Sequence, residues 1–210
     1  MSTDPVGGLA SRIAARSLAK REANYASEVR RLLDAGREVM GRTGTTSRPR
    51  VADIVAEAGL SNEAFYRHFP SKDALVAAIL EDGTDRLHSY VAHQMSKEST
   101  AQARLRRWVE GVLSQADDDS AETTRAVMWN AGSMGEEIMS SPPSVAGRLA
   151  ALLHDTYAEL GSADPEFDAS LAAHATIGKL SDYLWRQLRP TMSDVDRITA
   201  FCLRIRTPAP

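Results

Sequence analysis

The sequence predicts an all-α protein, with a three-helix, helix-turn-helix head near the N-terminus and a larger helical body behind it. Apolar residues recur at steps of three and four, the spacing that gathers a stripe on one helix face, and no convincing period-two run interrupts them. Glycines, prolines and acidic clusters fall between these stretches and divide them. A third observation locates the head: between residues 51 and 69 two short helical stretches are separated by little more than Gly59. With 210 residues, 43% hydrophobic and 25% charged, the chain can bury a sizeable core, as one large domain or as a small one joined to a larger.

Residues 1–22 lack a sustained apolar stripe and carry Arg12, Arg16, Lys20 and Arg21, so they read as a flexible basic arm becoming helical. Residues 23–72 form the head. Val29, Leu32, Leu33, Gly36, Val39 and Met40 line one face of a helix that ends near Gly41 to Gly44. Val51, Ile54, Val55, Ala58 and Leu60 mark a second, short helix stopped by Gly59, which supplies the positive φ of a sharp turn. Asn62 to Phe69 form a third, closed by Pro70, with the Ser61 hydroxyl placed to accept an orphan N–H of its first turn. Ile54, Val55, Leu60, Phe65 and Phe69 are the expected small core. Residues 73–210 form the body. Its helices are expected at about 72–96, 100–116, 120–139, 144–160, 166–188 and 193–206.

Two short helices joined by a glycine turn suit duplex DNA, because the first can brace on the backbone while the second enters the major groove. The net charge is −3, yet residues 1–72 sum to +4 and the remainder to −7, which puts a basic head on an acidic body. The third helix is expected to expose Asn62, Glu63, Ala64 and Arg67. Asn suits adenine N6/N7, Glu cytosine N4–H, Ala a thymine methyl and Arg guanine O6/N7. Arg50, before the second helix, works against the helix dipole unless a phosphate answers it; it reads as a phosphate ligand or as a plain surface arginine. Ser61 joins these residues in the DNA-binding set. The basic arm could follow phosphates or enter a minor groove, or be a tail without a specific role.

The stretch Gly59-Leu60-Ser61, followed by Tyr66-Arg67-His68-Phe69 and Ser71-Lys72-Asp73-Ala74-Leu75, resembles the TetR-like (tetracycline-repressor-like) transcription regulators over roughly residues 28–80. That family usually caps the second helix with Thr or Ser, whereas here Pro49 or Arg50 stands near that place. The resemblance implies that Tyr66, His68 and Lys72 contact the sugar-phosphate backbone, for which hydroxyl, imidazole and ammonium groups are all suitable donors. For His68 a second reading stays open, a packed histidine bracing the helix. The resemblance also implies a regulator, expected to be a repressor, that binds a palindromic operator as a homodimer and responds to a small-molecule effector.

A single short recognition helix contacts few base pairs, so pairing of two subunits is expected on physical grounds as well. The stretch 166–188 is apolar on two sides, with Phe167, Leu171, Ala175, Gly178 and Trp185 on one and Ile177, Leu180, Leu184 and Leu188 on the other. Val195, Ile198, Phe201, Cys202 and Ile205 spread around the last helix. Helices apolar on two faces need two partners, the domain core and a second subunit, unless they are buried within one large domain. The family resemblance implies an effector pocket in the body. The candidate lining is Trp108, Met128, Trp129, Met134 and Tyr157, with His174 from a later helix; such soft and aromatic walls suit an apolar or aromatic ligand. At helical spacing, Met and Trp are also ordinary core residues.

Other classes find little support. The single cysteine, Cys202, cannot form an internal disulfide, and no Cys/His cluster has zinc spacing. No cofactor or metal is expected. His88 and His93 miss the i, i+4 step of a shared helix face, and no phosphate-cradling glycine motif or nucleophile elbow occurs. Asp117 to Asp119 read as an acidic helix start. No apolar run approaches a membrane span, and a cytoplasmic location is expected. A DNA-binding regulator, or a compacting or interaction protein, without a small-molecule effector is the alternative function.

Overall fold

The computed structural model describes residues 5–132 and 144–205, and among these the regular structure is helical. The head contains α1 (Pro5–Thr43), α2 (Val51–Ala58) and α3 (Asn62–His68). The body follows with α4 (Lys72–Met95), α5 (Ala101–Leu113), a 3₁₀ turn (Ser114–Ala116) and α6 (Asp118–Ala131). After residue 144 come α7 (Val145–Ala151), α8 (His154–Glu159), α9 (Pro165–Arg186) and α10 (Met192–Arg204).

Two expected elements differ. From Pro5 the basic arm is helical and continuous with α1, whose first turns carry Leu9, Ile13 and Leu18 exposed. Residues 8–22 are exposed throughout, in keeping with the lack of an apolar stripe there. The helix expected over 144–160 is divided at Leu152-Leu153 into α7 and α8. That break is invisible to apolar spacing, since Leu149, Leu153 and Tyr157 all remain buried across it.

The head core holds Leu32, Val39 and Met40 of α1, Ile54 and Val55 of α2, and Phe65 of α3 with Phe69. It extends into the body: Leu75, Val76 and Ile79 of α4 and Ala126, Val127 and Ala131 of α6 belong to the same cluster. Gly36 permits this, because a Cβ there would lie 2.7 Å from Ile79 Cδ1. Further along α4, Leu87, Val91 and Met95 pack into the second core, around Trp108, Leu149, Tyr157, Ala172 and Leu184. Helix α4, 24 residues and about 36 Å long, is therefore a rod shared by both cores. Asp82 on α4 reinforces the joint, accepting from Arg37 of α1 at 2.7 Å, with Arg30 and Arg86 alongside. No described helix is long and apolar enough to cross a membrane.

Candidate nucleic-acid interface

Helix α3 is seven residues long, too short to be stable by itself, so its position comes from its ends and its buried side. At its start the Ser61 Oγ accepts from the Ala64 N–H at 3.1 Å, as the sequence leads one to expect. Before it, Gly59 takes φ 61° and ψ 40°, and the Leu60 N–H donates to the Val55 carbonyl at 2.9 Å, closing α2 in a Schellman-type cap. Arg31 of α1 completes the turn. Its guanidinium donates to the carbonyls of Ala58 (2.6 and 3.0 Å) and Gly59 (3.0 Å), satisfying acceptors at the end of α2. A side chain at Gly59 would be strained by the positive φ, and its Cβ would lie 3.1 Å from the same guanidinium.

With seven residues the inward and outward rows of α3 follow from the helical step. Ala64 and Phe65 are buried, and the residues one turn on, His68 and Phe69, face the same way. Asn62, Glu63, Tyr66 and Arg67 form the outward surface, with Tyr66 58% exposed. Arg50 is exposed at the N-cap of α2, where its guanidinium, which has donors only and so cannot cap the helix, is accessible to an anion. Lys72, half-buried, opens α4, and Ser71 caps that helix by accepting from the Ala74 N–H at 3.1 Å.

Three residues depart from the sequence-based expectation. Ala64 is not on the outward face; it lies against the head core, where a methyl group cannot meet a base. His68 also turns inward: its side chain has 0% exposure, and its Nε2 lies 2.6 Å from Glu28 Oε2 on α1. Of its two readings, the packed histidine is the one this geometry favours. Arg67 is 52% exposed, but its Nη2 donates to that same Glu28 oxygen at 2.7 Å, so it is not a free base reader. The two donors hold the Glu28 carboxyl below its ordinary range, the His68 hydrogen bond first and that of Arg67 second. Glu28 and Arg31 both escaped the sequence reading, because their partners lie 27 to 40 residues away and no local spacing joins them.

The family model for bacterial regulatory proteins of the tetR family matches residues 32–79, the segment that carries this capped turn and helix. That match is confined to the head and the start of α4. Over this segment the chain is similar to transcription regulators of that family. A nucleoid occlusion factor SlmA from Photobacterium profundum is 24% identical over 162 residues, 75% of this chain and 82% of that one. An HTH-type transcriptional regulator BetI from Cronobacter sakazakii is 29% identical over 166 residues, covering 78% of this chain and 79% of its own. Among solved structures, a transcriptional regulator from Rhodococcus sp. Rha1 superposes with a TM-score of 0.68 at 16% identity, over 85% of this chain and 95% of that one. That likeness extends the fold through the body, where sequence similarity is low.

Among the described residues, the body does not bring the expected effector residues together as one site. Trp108 and Tyr157 are fully buried and engaged. The Trp108 Nε1–H donates to the Leu149 carbonyl at 2.9 Å, and the Tyr157 hydroxyl to the Cys202 carbonyl at 2.9 Å. Burial raises the Tyr157 phenol far above its ordinary value, so it stays protonated and donating. His174 is exposed on α9, its Nδ1 2.7 Å from the Ser170 carbonyl. Met134 lies outside the described residues. Of the described ones, Met128 and Trp129 come together, beside Arg48, Gly132 and Trp185 in an open cleft of about 290 Å³.

Proposed function

We propose that the chain acts as a homodimeric repressor that places α3 of each subunit in successive major grooves of a palindromic operator. The observation that supports this reading is the outward surface of α3 (Asn62, Glu63, Tyr66) on a helix locked from behind by Ser61, Arg31 and the Phe65–Phe69 core. Asn62 and Glu63 read base edges, while Arg50, Tyr66, Lys72 and the exposed end of Ser61 address the phosphates and set register.

The second subunit docks on α9 and α10. Phe167, Leu171, Leu188, Met192 and Phe201 are exposed there, and a groove of about 710 Å³ between the two helices is lined by Ala175, Lys179, Tyr183, Ile198 and Phe201. A Cβ on Gly178 would meet nothing within 4 Å, which leaves room for a neighbouring backbone. Apolar surface of this kind marks an interaction site, and the face with Phe167, Leu171, Ala175 and Gly178 is one for which the sequence calls for a second partner.

The effector reading moves to the cleft of Met128, Trp129, Trp185 and Arg48. Its walls suit a small aromatic ligand bearing an anionic group, the ring against the tryptophans and the charge toward Arg48. Arg48 precedes α2, so a ligand held there would bias the head against the body and favour a state that fits the operator poorly. A second reading, DNA binding without an effector, is favoured by the fully engaged Trp108 and Tyr157 and by the similarity to a nucleoid occlusion factor.

Fluorescence anisotropy on the palindrome nearest the chain's own gene, with sedimentation analysis of the complex, tests the central reading. One dimer per palindrome and strong preference over a scrambled duplex are expected; equal affinity for both would sink it. Quenching of Trp129 and Trp185 by aromatic carboxylates, with loss of operator affinity, separates the two effector readings.

A further inference from the structure

Glu28 sits on α1, yet its single oxygen Oε2 accepts from two consecutive residues of α3, Arg67 Nη2 at 2.7 Å and His68 Nε2 at 2.6 Å. A carboxylate only accepts, so Nε2 carries the proton; the other ring nitrogen, Nδ1, is buried without a hydrogen-bond partner among the described residues. His68 therefore directs its Nε2–H at Glu28. The ring is fully enclosed and is also met edge-on by Tyr25, with centroids 4.3 Å apart. Exposed ion pairs are weak largely because two flexible side chains must be ordered to form them. Here that ordering already exists, since the enclosed His68 fixes the carboxylate that Arg67 meets.

Arg67 thus stands on the outward surface of the recognition helix with its charge answered from behind. Its other N–H groups face solvent, but an arginine paired with a carboxylate displaces no counterion from DNA.

We propose that Glu28 is a positioning residue of the recognition helix: it holds Arg67 out of phosphate and base contact and, through His68, fixes the rotation of α3 on α1, leaving sequence readout to Asn62 and Glu63. This rests on the DNA-binding reading above. It makes Glu28 a restraint on non-specific affinity, since one more unpaired arginine on α3 would strengthen binding to any duplex.

The test measures binding to the palindrome and to a scrambled duplex between 50 and 200 mM salt for the wild-type protein, Glu28→Gln, Arg67→Ala and the double variant. Glu28→Gln keeps the side chain's size and a carbonyl acceptor for His68 while removing the charge. It should tighten binding to the scrambled duplex, steepen the salt slope by about 1, and lose about three- to four-fold of that gain across the salt range. Arg67→Ala alone should leave the slope unchanged, and in the double variant it should abolish the gain. An unchanged slope in Glu28→Gln, or a slope reduced by Arg67→Ala alone, overturns the proposal while leaving DNA binding intact. A wild-type protein that ignores every duplex at low salt removes the DNA-binding reading and this proposal together. Melting curves of the same variants separate misfolding from release: a Glu28→Gln protein that melts early without a steeper slope counts against the proposal.

Discussion

The head and the body use the same ingredients, aromatic and aliphatic residues at helical spacing, but leave different surfaces free. In the head, a seven-residue helix buries Ala64, Phe65 and His68 and turns Asn62, Glu63 and Tyr66 outward, so two steps of the helix separate support from readout. In the body, Trp108 and Tyr157, the most promising pocket residues by composition, are closed into the core by hydrogen bonds to Leu149 and Cys202. A polar group placed on a short, capped element points where the element dictates. A large apolar side chain goes wherever volume must be filled.

Variants that separate the two regions test this contrast. The largest effect should come from Trp108→Ala, which opens a cavity and leaves the Leu149 carbonyl unpaired; a loss of about 3–5 kcal/mol in denaturant unfolding is expected. If Trp108 instead lined an effector site, the variant would fold nearly normally and lose only its ligand response. Next is Asn62→Ala, which should relax preference at one base pair by about 1–3 kcal/mol while leaving the melting curve unchanged. Competition among single-base operator variants would show it, and uniform weakening would assign Asn62 to the backbone instead. Ser61→Ala removes the cap of α3, with an expected cost of about 1 kcal/mol in stability and weaker binding to every duplex. Lys72→Ala should reduce the salt slope by about 1 without altering base preference, and an unchanged slope would place Lys72 off the phosphates.

The smallest effect concerns pH. The folded state lowers the Glu28 carboxyl from its ordinary 4.5, so its contribution to stability is fully present above that value and fades as pH falls through the lowered one. The melting temperatures of wild type and Glu28→Gln should therefore differ most above about pH 5 and converge in more acid solution. A constant gap down to about pH 3 would mean that the carboxylate charge contributes nothing.

Much of the head was legible because its signals are local. Gly59 with a positive φ, Ser61 as a cap, Phe65 and Phe69 as core, and Asn62 and Glu63 as outward residues all follow from spacing within about ten residues. Ala64 was expected on the outward face, and His68 had two open readings, for a reason of the same kind. A helix of seven residues has too few turns for sequence alone to show which flank faces its neighbour, and one step of 100° separates Ala64 from Glu63. The body was legible as helices but not as a site, since Met128 meets Arg48 and Trp185 only across elements far apart in the chain.

By itself, the order of residues determined the helical class, the turn at Gly59 and the position of the recognition helix, because backbone conformation and capping depend on near neighbours. Which arginines stay free was decided only in the folded chain. Arg31 is committed to the end of α2 and Arg67 to Glu28, while Arg50 stands open. These choices depend on carboxylates and carbonyls brought within hydrogen-bonding reach by packing, and no distance along the sequence records them.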